Sequence, residues 1–172
     1  LQAWLADVLT HGSGRNDCIL LRAAYASTSH DDLEQLNLTA LAVSASSERV
    51  LETTLQGRAF SQTTAAIWGG DDVNACYPIA VGVAAARRKL DLEITAALYL
   101  HAFASNLVSA AVRAIPLGQT DGQRVLSALL PLCEEIAQTT REGDLDNLGS
   151  TAFLSDIAAM RHETLQPRIF RS

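Results

Sequence analysis

Apolar residues recur along this chain every three or four positions, the spacing of one face of an α-helix. Leu1, Trp4, Leu5, Val8 and Leu9 predict a first helix, which the Gly12–Gly14 region stops. A second is predicted over 15–27, with Ile19, Leu20, Ala23 and Ala24 on its buried side. Asp31 is placed to cap a short third helix carrying Leu33, Leu36, Leu41 and Val43. Ser46-Ser47-Glu48 opens a more polar helix reaching Ile67 or Trp68, with Val50, Leu51, Leu55, Ala59 and Phe60 as its apolar stripe. Gly69-Gly70-Asp71-Asp72 breaks it. Tyr77-Pro78 opens the next segment, where Pro suits a first turn, and Arg87, Arg88 and Lys89 bring positive charge to its end.

Asp91 can cap a long helix over 92–114, with Leu92, Ala96, Leu100, Phe103, Leu107 and Ala111 near one face. Pro116 ends it, because proline cannot continue the hydrogen-bond ladder. Thr120 and Gln123 have the spacing of a capping box before Val125, Leu126, Leu129, Leu130, Leu132 and Ile136. A turn region over 143–150, a last helix over 155–164 and an extended tail complete the pattern. Strict alternation is hard to find, which argues against a large sheet. The expectation is an all-α, single-domain helical bundle over residues 1–164, followed by a C-terminal tail, 165–172. Leu100, Phe103, Leu107, Leu126 and Leu129 are expected in its core.

Composition supports this picture. The chain has 172 residues, 48% hydrophobic and 19% charged, which sustains a buried core and argues against global disorder. A net charge of −6 gives no broad electrostatic footprint for nucleic acid or anionic lipid. No apolar stretch is expected to reach the roughly 20 residues of a membrane span.

Chemical motifs are scarce. Cys18, Cys76 and Cys133 are odd in number and far apart, so they are read as buried thiols rather than a zinc or redox motif. His11, His30, His101 and His162 form no HxH, HxxxH or HExxH pattern, and His101 is read as a hydrogen-bonded core or interface side chain. Gly118–Gln123 precedes a helix but lacks the lysine and glycine order of a phosphate loop, and Asp121 would repel phosphate. No catalytic, cofactor or metal residues are assigned. Asn106 and Ser109, inside an apolar stretch, suggest a helix–helix hydrogen bond. The tail carries the sharpest signal. Arg168-Ile169-Phe170-Arg171-Ser172 alternates basic and bulky groups, so Phe can anchor and Arg can donate to a partner, or the tail can pack on its own domain.

The stretch from Leu107-Val108-Ser109 to Gly118-Gln119-Thr120-Asp121-Gly122-Gln123 resembles the signature of the UreF family. The run Asp156-Ile157-Ala158-Ala159-Met160-Arg161-His162-Glu163-Thr164 and the terminal Arg168-Ile169-Phe170-Arg171-Ser172 resemble that family's ending. Weaker agreement covers Trp4-Leu5, residues 12–17, Gln56-Gly57-Arg58-Ala59 and Tyr77-Pro78. The resemblance implies a cytoplasmic, all-helical homodimer that is not an enzyme. It implies binding to UreD (also called UreH), to the GTPase UreG and to urease apoprotein during nickel insertion. Arg161, His162, Glu163, Arg168, Phe170 and Arg171 are the candidate UreD/UreH-binding residues; the first three can instead hold the last helix on the bundle. Two departures stand out. The family's Gly-rich, aromatic N-terminal segment is missing, and Gln166-Pro167 stands where an aromatic and Ser are expected. The alternative is a helical metal- or small-molecule-binding protein unrelated to urease maturation.

Overall fold

The computed structural model describes residues 1–142 and 144–165. Among these, eight α-helices and one short 3-10 turn, Leu145–Asn147, occur with no strand. The helices are α1 (Gln2–His11), α2 (Ser13–Ala26), α3 (His30–Ala42), α4 (Ser47–Trp68), α5 (Tyr77–Arg87), α6 (Leu92–Ala114), α7 (Gln119–Thr139) and α8 (Phe153–His162). The protein is the all-α bundle its periodicity predicts. Its contacts group into two compact units, one from 1–19 and 91–151, the other from 20–90 and the stretch from 152 onward.

In the first unit α6 packs along α7, and α1 lies against both. Leu5, Leu9, Cys18, Leu100, Ala104, Leu129 and Ile136 meet in its core. Leu126 is buried as expected, whereas Phe103 and Leu107 pack against the core only partly covered. Each fully buried Leu stabilises the fold by about 1.5–3 kcal/mol. Asp91 caps α6 by accepting from the Ile94 amide at 2.9 Å. The first turn of α7 reaches the end of α6 because residue 122 is glycine: a Cβ there would stand 2.9 Å from Val112 Cγ2 and 3.1 Å from Val108 Cγ1. Polar groups inside this unit are bonded. Tyr99 Oη donates to Asp17 Oδ2 at 2.7 Å, and Cys18 Sγ meets Thr140 Oγ1 at 3.1 Å.

The structure corrects several expectations. Asn106 and Ser109 are exposed and so do not make the buried contact expected of them. The face of α6 that turns inward is Ala96, Tyr99, Leu100, Ala104 and Val108, and those two polar residues lie off it. The Thr120–Gln123 capping box does not form, because α7 starts at Gln119 with Gly118 as cap residue and no side-chain cap bond. Leu130 is exposed, and Pro131 lies inside α7 on the same exposed side. Helix α6, at 23 residues, is long and apolar enough to cross a membrane by length and composition, contrary to expectation. Its polar interruptions, His101 and Asn106, do not bring the stretch below that measure.

The second unit is built on the pair α4 and α5, with α3 against α5. Leu20, Leu21, Ala24, Leu36, Ala40, Ile79, Ala80 and Val83 are buried. The cap of α3 is Ser29 rather than Asp31: its hydroxyl accepts from the Asp32 amide at 3.0 Å. Ser46 caps α4 by accepting from the Arg49 amide at 3.1 Å. Of the expected stripe on α4, Leu51, Leu55 and Ala59 are exposed and Val50 and Phe60 half-buried, and the buried positions are Thr53, Gly57 and Ser61. These small residues receive the backbone of 73–77. Thr53 Oγ1 accepts from the Tyr77 amide at 3.2 Å, and Ser61 Oγ accepts from the Val73 amide at 2.5 Å. Between them a Cβ on Gly57 would collide with the Ala75 carbonyl oxygen, the Cys76 carbonyl carbon and the Tyr77 nitrogen. Phe60 and Tyr77 then pack edge to face, ring centres 5.6 Å apart.

Candidate functional site

The unusual surface of the second unit is α8. None of its residues is buried. At 100° per residue, its half-covered positions Ser155, Asp156, Ala159 and His162 share one arc with Glu163, the residue after the helix. Its exposed positions Phe153, Leu154, Ile157, Ala158, Met160 and Arg161 share the opposite one. An ordinary surface helix turns its apolar stripe toward the core. In α8 the stripe is turned outward: Leu154 is 84% exposed and Phe153 64%. Exposed apolar groups that fall on one continuous arc mark an interaction surface more strongly than scattered ones.

The end of α8 is fastened to the start of α4. His162 Nδ1 lies 2.7 Å from Glu48 Oε2, and Glu163 Oε1 accepts from the Ser47 amide at 2.7 Å. Ser47 occupies the first position of α4, where amides have no partner within their own helix. A carboxylate there gains from both the hydrogen bond and the helix dipole.

The residues that the sequence singled out are thus divided. Arg161 is exposed beside the apolar arc, while His162 and Glu163 make contacts within the chain. Arg168, Phe170 and Arg171 lie outside the described residues. Sequence reasoning does not pick out Phe153, Leu154, Ile157 and Met160, although their 0, +1, +4, +7 spacing opposite a polar stripe is a signal that could find them. Further exposed apolar pairs, each one helical turn long, are Ile94–Leu98 on α6 and Leu51–Leu55 on α4.

Other candidate chemistry is occupied by structural tasks. The Asp121 carboxylate in the first turn of α7 pairs with Arg124 at 2.7 Å. A small cavity beside Trp68 and Val83 is rimmed by Arg87 and Arg88. Both guanidiniums are directed at the loop after α4, Arg87 to the Asp71 carbonyl at 2.7 Å and Arg88 to the Trp68 carbonyl and over the Trp68 ring. All three cysteines are buried thiols outside any disulfide. Burial pushes the Cys133 thiol up to about 11, with Glu134 adding to the rise against a backbone hydrogen bond, so it is protonated at neutral pH. His101 is half-buried, and His11 and His30 are exposed. Among the described residues no group of three or more His, Cys, Asp or Glu is placed to hold a metal ion.

Comparison with known proteins matches residues 1–130 to the UreF family. The urease accessory protein UreF of Ruegeria pomeroyi is 53% identical over 171 residues, covering 99% of this chain and 79% of the relative. That of Roseobacter denitrificans is 48% identical over 172 residues, covering 100% and 77%. That of Jannaschia sp. is 42% identical over 170 residues, covering 99% and 76%. Agreement at this level over nearly the whole chain extends beyond the matched 130 residues to α8 and the terminal run, and the chain belongs to the UreF family of urease accessory proteins.

Proposed function

We propose that this chain acts in urease maturation as a non-enzymatic scaffold. In this reading α8 and the tail dock UreD/UreH, the resulting surface recruits the GTPase UreG, and the assembly acts on urease apoprotein during nickel insertion in the cytoplasm. The scaffold is a homodimer joined through another face of the bundle. Arg161, Arg168, Phe170 and Arg171 are the direct anchors, and His162 and Glu163 hold α8 in place for them. Nucleotide and metal chemistry belong to UreG and urease, so the isolated chain neither turns over GTP nor retains nickel after dialysis against chelator.

The observation that carries this reading is the outward apolar side of α8, which leads directly into the basic and aromatic terminal run. Phe anchors buried in a pocket and Arg groups that bond carboxylates in pairs are the side chains that dominate interface energies. The test removes 165–172 and compares the affinity for UreD/UreH and the thermal melt with those of the full chain. Lost binding with an unchanged melt is expected. Unchanged binding overturns the docking role. Should the truncated chain unfold, Phe170→Ala in the full chain replaces it, with a loss of about thirtyfold in affinity expected.

A further inference from the structure

We propose that the paired contacts His162–Glu48 and Glu163–Ser47 form a clamp that selects the rotational setting of α8, so that its apolar side faces outward for a partner. The clamp rests on the docking role of α8 and adds the residues that set the geometry. The half-covered arc of α8 spans roughly 120° and the exposed arc roughly 160°, and the two do not overlap. Rolling the helix by about half a turn would bring Phe153, Leu154, Ile157 and Met160 inward. Apolar burial alone favours that roll. Something must oppose it, and the two bonds at the end of the helix are placed to do so.

A single contact at the end of α8 restrains its rotation less than two. Two contacts from adjacent residues, 162 and 163, to adjacent residues, 47 and 48, fix rotation as well as position. The chemistry is reciprocal. The Glu163 carboxylate takes an orphan amide at the N-terminus of α4, and Glu48, in that same first turn, faces an imidazole at the C-terminus of α8. Both placements agree with the helix dipoles. Glu48 and Ser47 are therefore positioning residues for docking although they lie more than a hundred positions before the helix they set.

The outward side calls for a protein partner with an apolar groove edged by carboxylates. Arg161 is exposed on the same side of α8 as the apolar arc. Its guanidinium is complementary to a carboxylate at the rim of such a groove.

The test measures amide exchange across 153–162 in the full chain, and affinity for UreD/UreH, in Glu48→Ala, His162→Ala, their double variant, Glu163→Ala and Glu163→Gln. Each alanine variant should speed exchange of α8 several-fold, leave α6 and α7 unchanged and weaken binding about tenfold. The Glu48/His162 double variant should be no faster than its faster single, since one contact is removed once. Glu163→Gln keeps an oxygen for the Ser47 amide and should restore wild-type exchange, which a purely charge-based role would not. Wild-type exchange of α8 in all alanine variants, or additive effects in the double, overturns the clamp. Faster exchange with unchanged affinity keeps the contact but removes α8 from the docking surface. Leu154→Asp probes the occupant: loss of self-association with UreD/UreH binding intact would assign the face to a second copy and overturn UreD/UreH as its partner.

Discussion

Replacing Gly57 by alanine sets two principles against each other. Gly57 lies inside α4, and alanine there gains about 1 kcal/mol of helix propensity. The added Cβ, however, would stand 2.7 Å from the Cys76 carbonyl carbon and from the Tyr77 nitrogen, and closer still to the Ala75 oxygen. These are backbone atoms and cannot rotate aside. Relief requires the 73–77 segment to move off α4, which overpacking data place at about 1–3 kcal/mol. The same movement stretches the Tyr77–Thr53 and Val73–Ser61 bonds, each worth about 0.5–1.5 kcal/mol. Subtracting the propensity gain leaves a net loss of about 3 kcal/mol. For a chain of this size that lowers the melting temperature by about 6–12 °C. Gly149→Ala is the control, because nothing lies within 4 Å of a Cβ there. A circular dichroism melt of both variants checks the argument. If Gly57→Ala melts at or above the wild-type temperature, the close approach of α4 to 73–77 is not what requires glycine.

Leu100→Ala, which empties a fully buried position, should destabilise by about 2–5 kcal/mol in urea unfolding, with an unchanged dependence on denaturant. Tyr99→Phe removes the donor to the buried Asp17 carboxylate and should lower stability by about 1.5–3 kcal/mol in the same assay. Because the folded Cys133 thiol is raised from 9.0 to about 11, the folded state holds its proton where the unfolded state has lost it. That contribution is fully present below pH 9 and declines as pH rises toward 11, by at most ~1.4 kcal/mol per pH unit; Cys133→Ala should flatten this part of a stability–pH curve.

Helix boundaries were legible wherever a breaker or cap leaves little choice. Gly12, Pro78, Asp91 and Pro116 each mark an end within a residue or two of the observed one. Burial was legible in part on α6 and α7, where Leu100, Leu126 and Leu129 are buried as expected while Phe103 and Leu107 are only partly covered and Leu130 is exposed. It was not legible on α4, because its partner is partly a stretch of backbone. Backbone needs small residues and hydroxyl acceptors, so Thr53, Gly57 and Ser61 turn inward while Leu51 and Leu55 do not. The reversal of α8 was hidden for a related reason. The spacing of Phe153, Leu154, Ile157 and Met160 was there to be read, but the contacts at the end of the helix come from Ser47 and Glu48, and no local pattern connects them to 162 and 163. Of the site, the fastening role of His162 and Glu163 was read as the alternative to partner binding, and the apolar positions beside them went unread although their spacing could have found them.

The first unit is assembled from two stretches of chain separated by residues 20–90. Leu5 and Leu9 share a core with Leu129 and Ile136, and Cys18 meets Thr140 across 122 positions. During synthesis, the opening helix must therefore wait with its apolar side uncovered until the end of α7 has left the ribosome. The intervening residues include both α4 and α5, whose mutual packing needs nothing downstream of Leu90. Emergence order consequently favours the middle of the chain folding before its beginning. Closing so long a loop adds entropy that grows only logarithmically with length, so the delay bears on folding rate and on exposure to aggregation far more than on final stability. A ribosome stalled before α7 is complete should hold α1 in a protease-sensitive form beside an already protected α4–α5 pair.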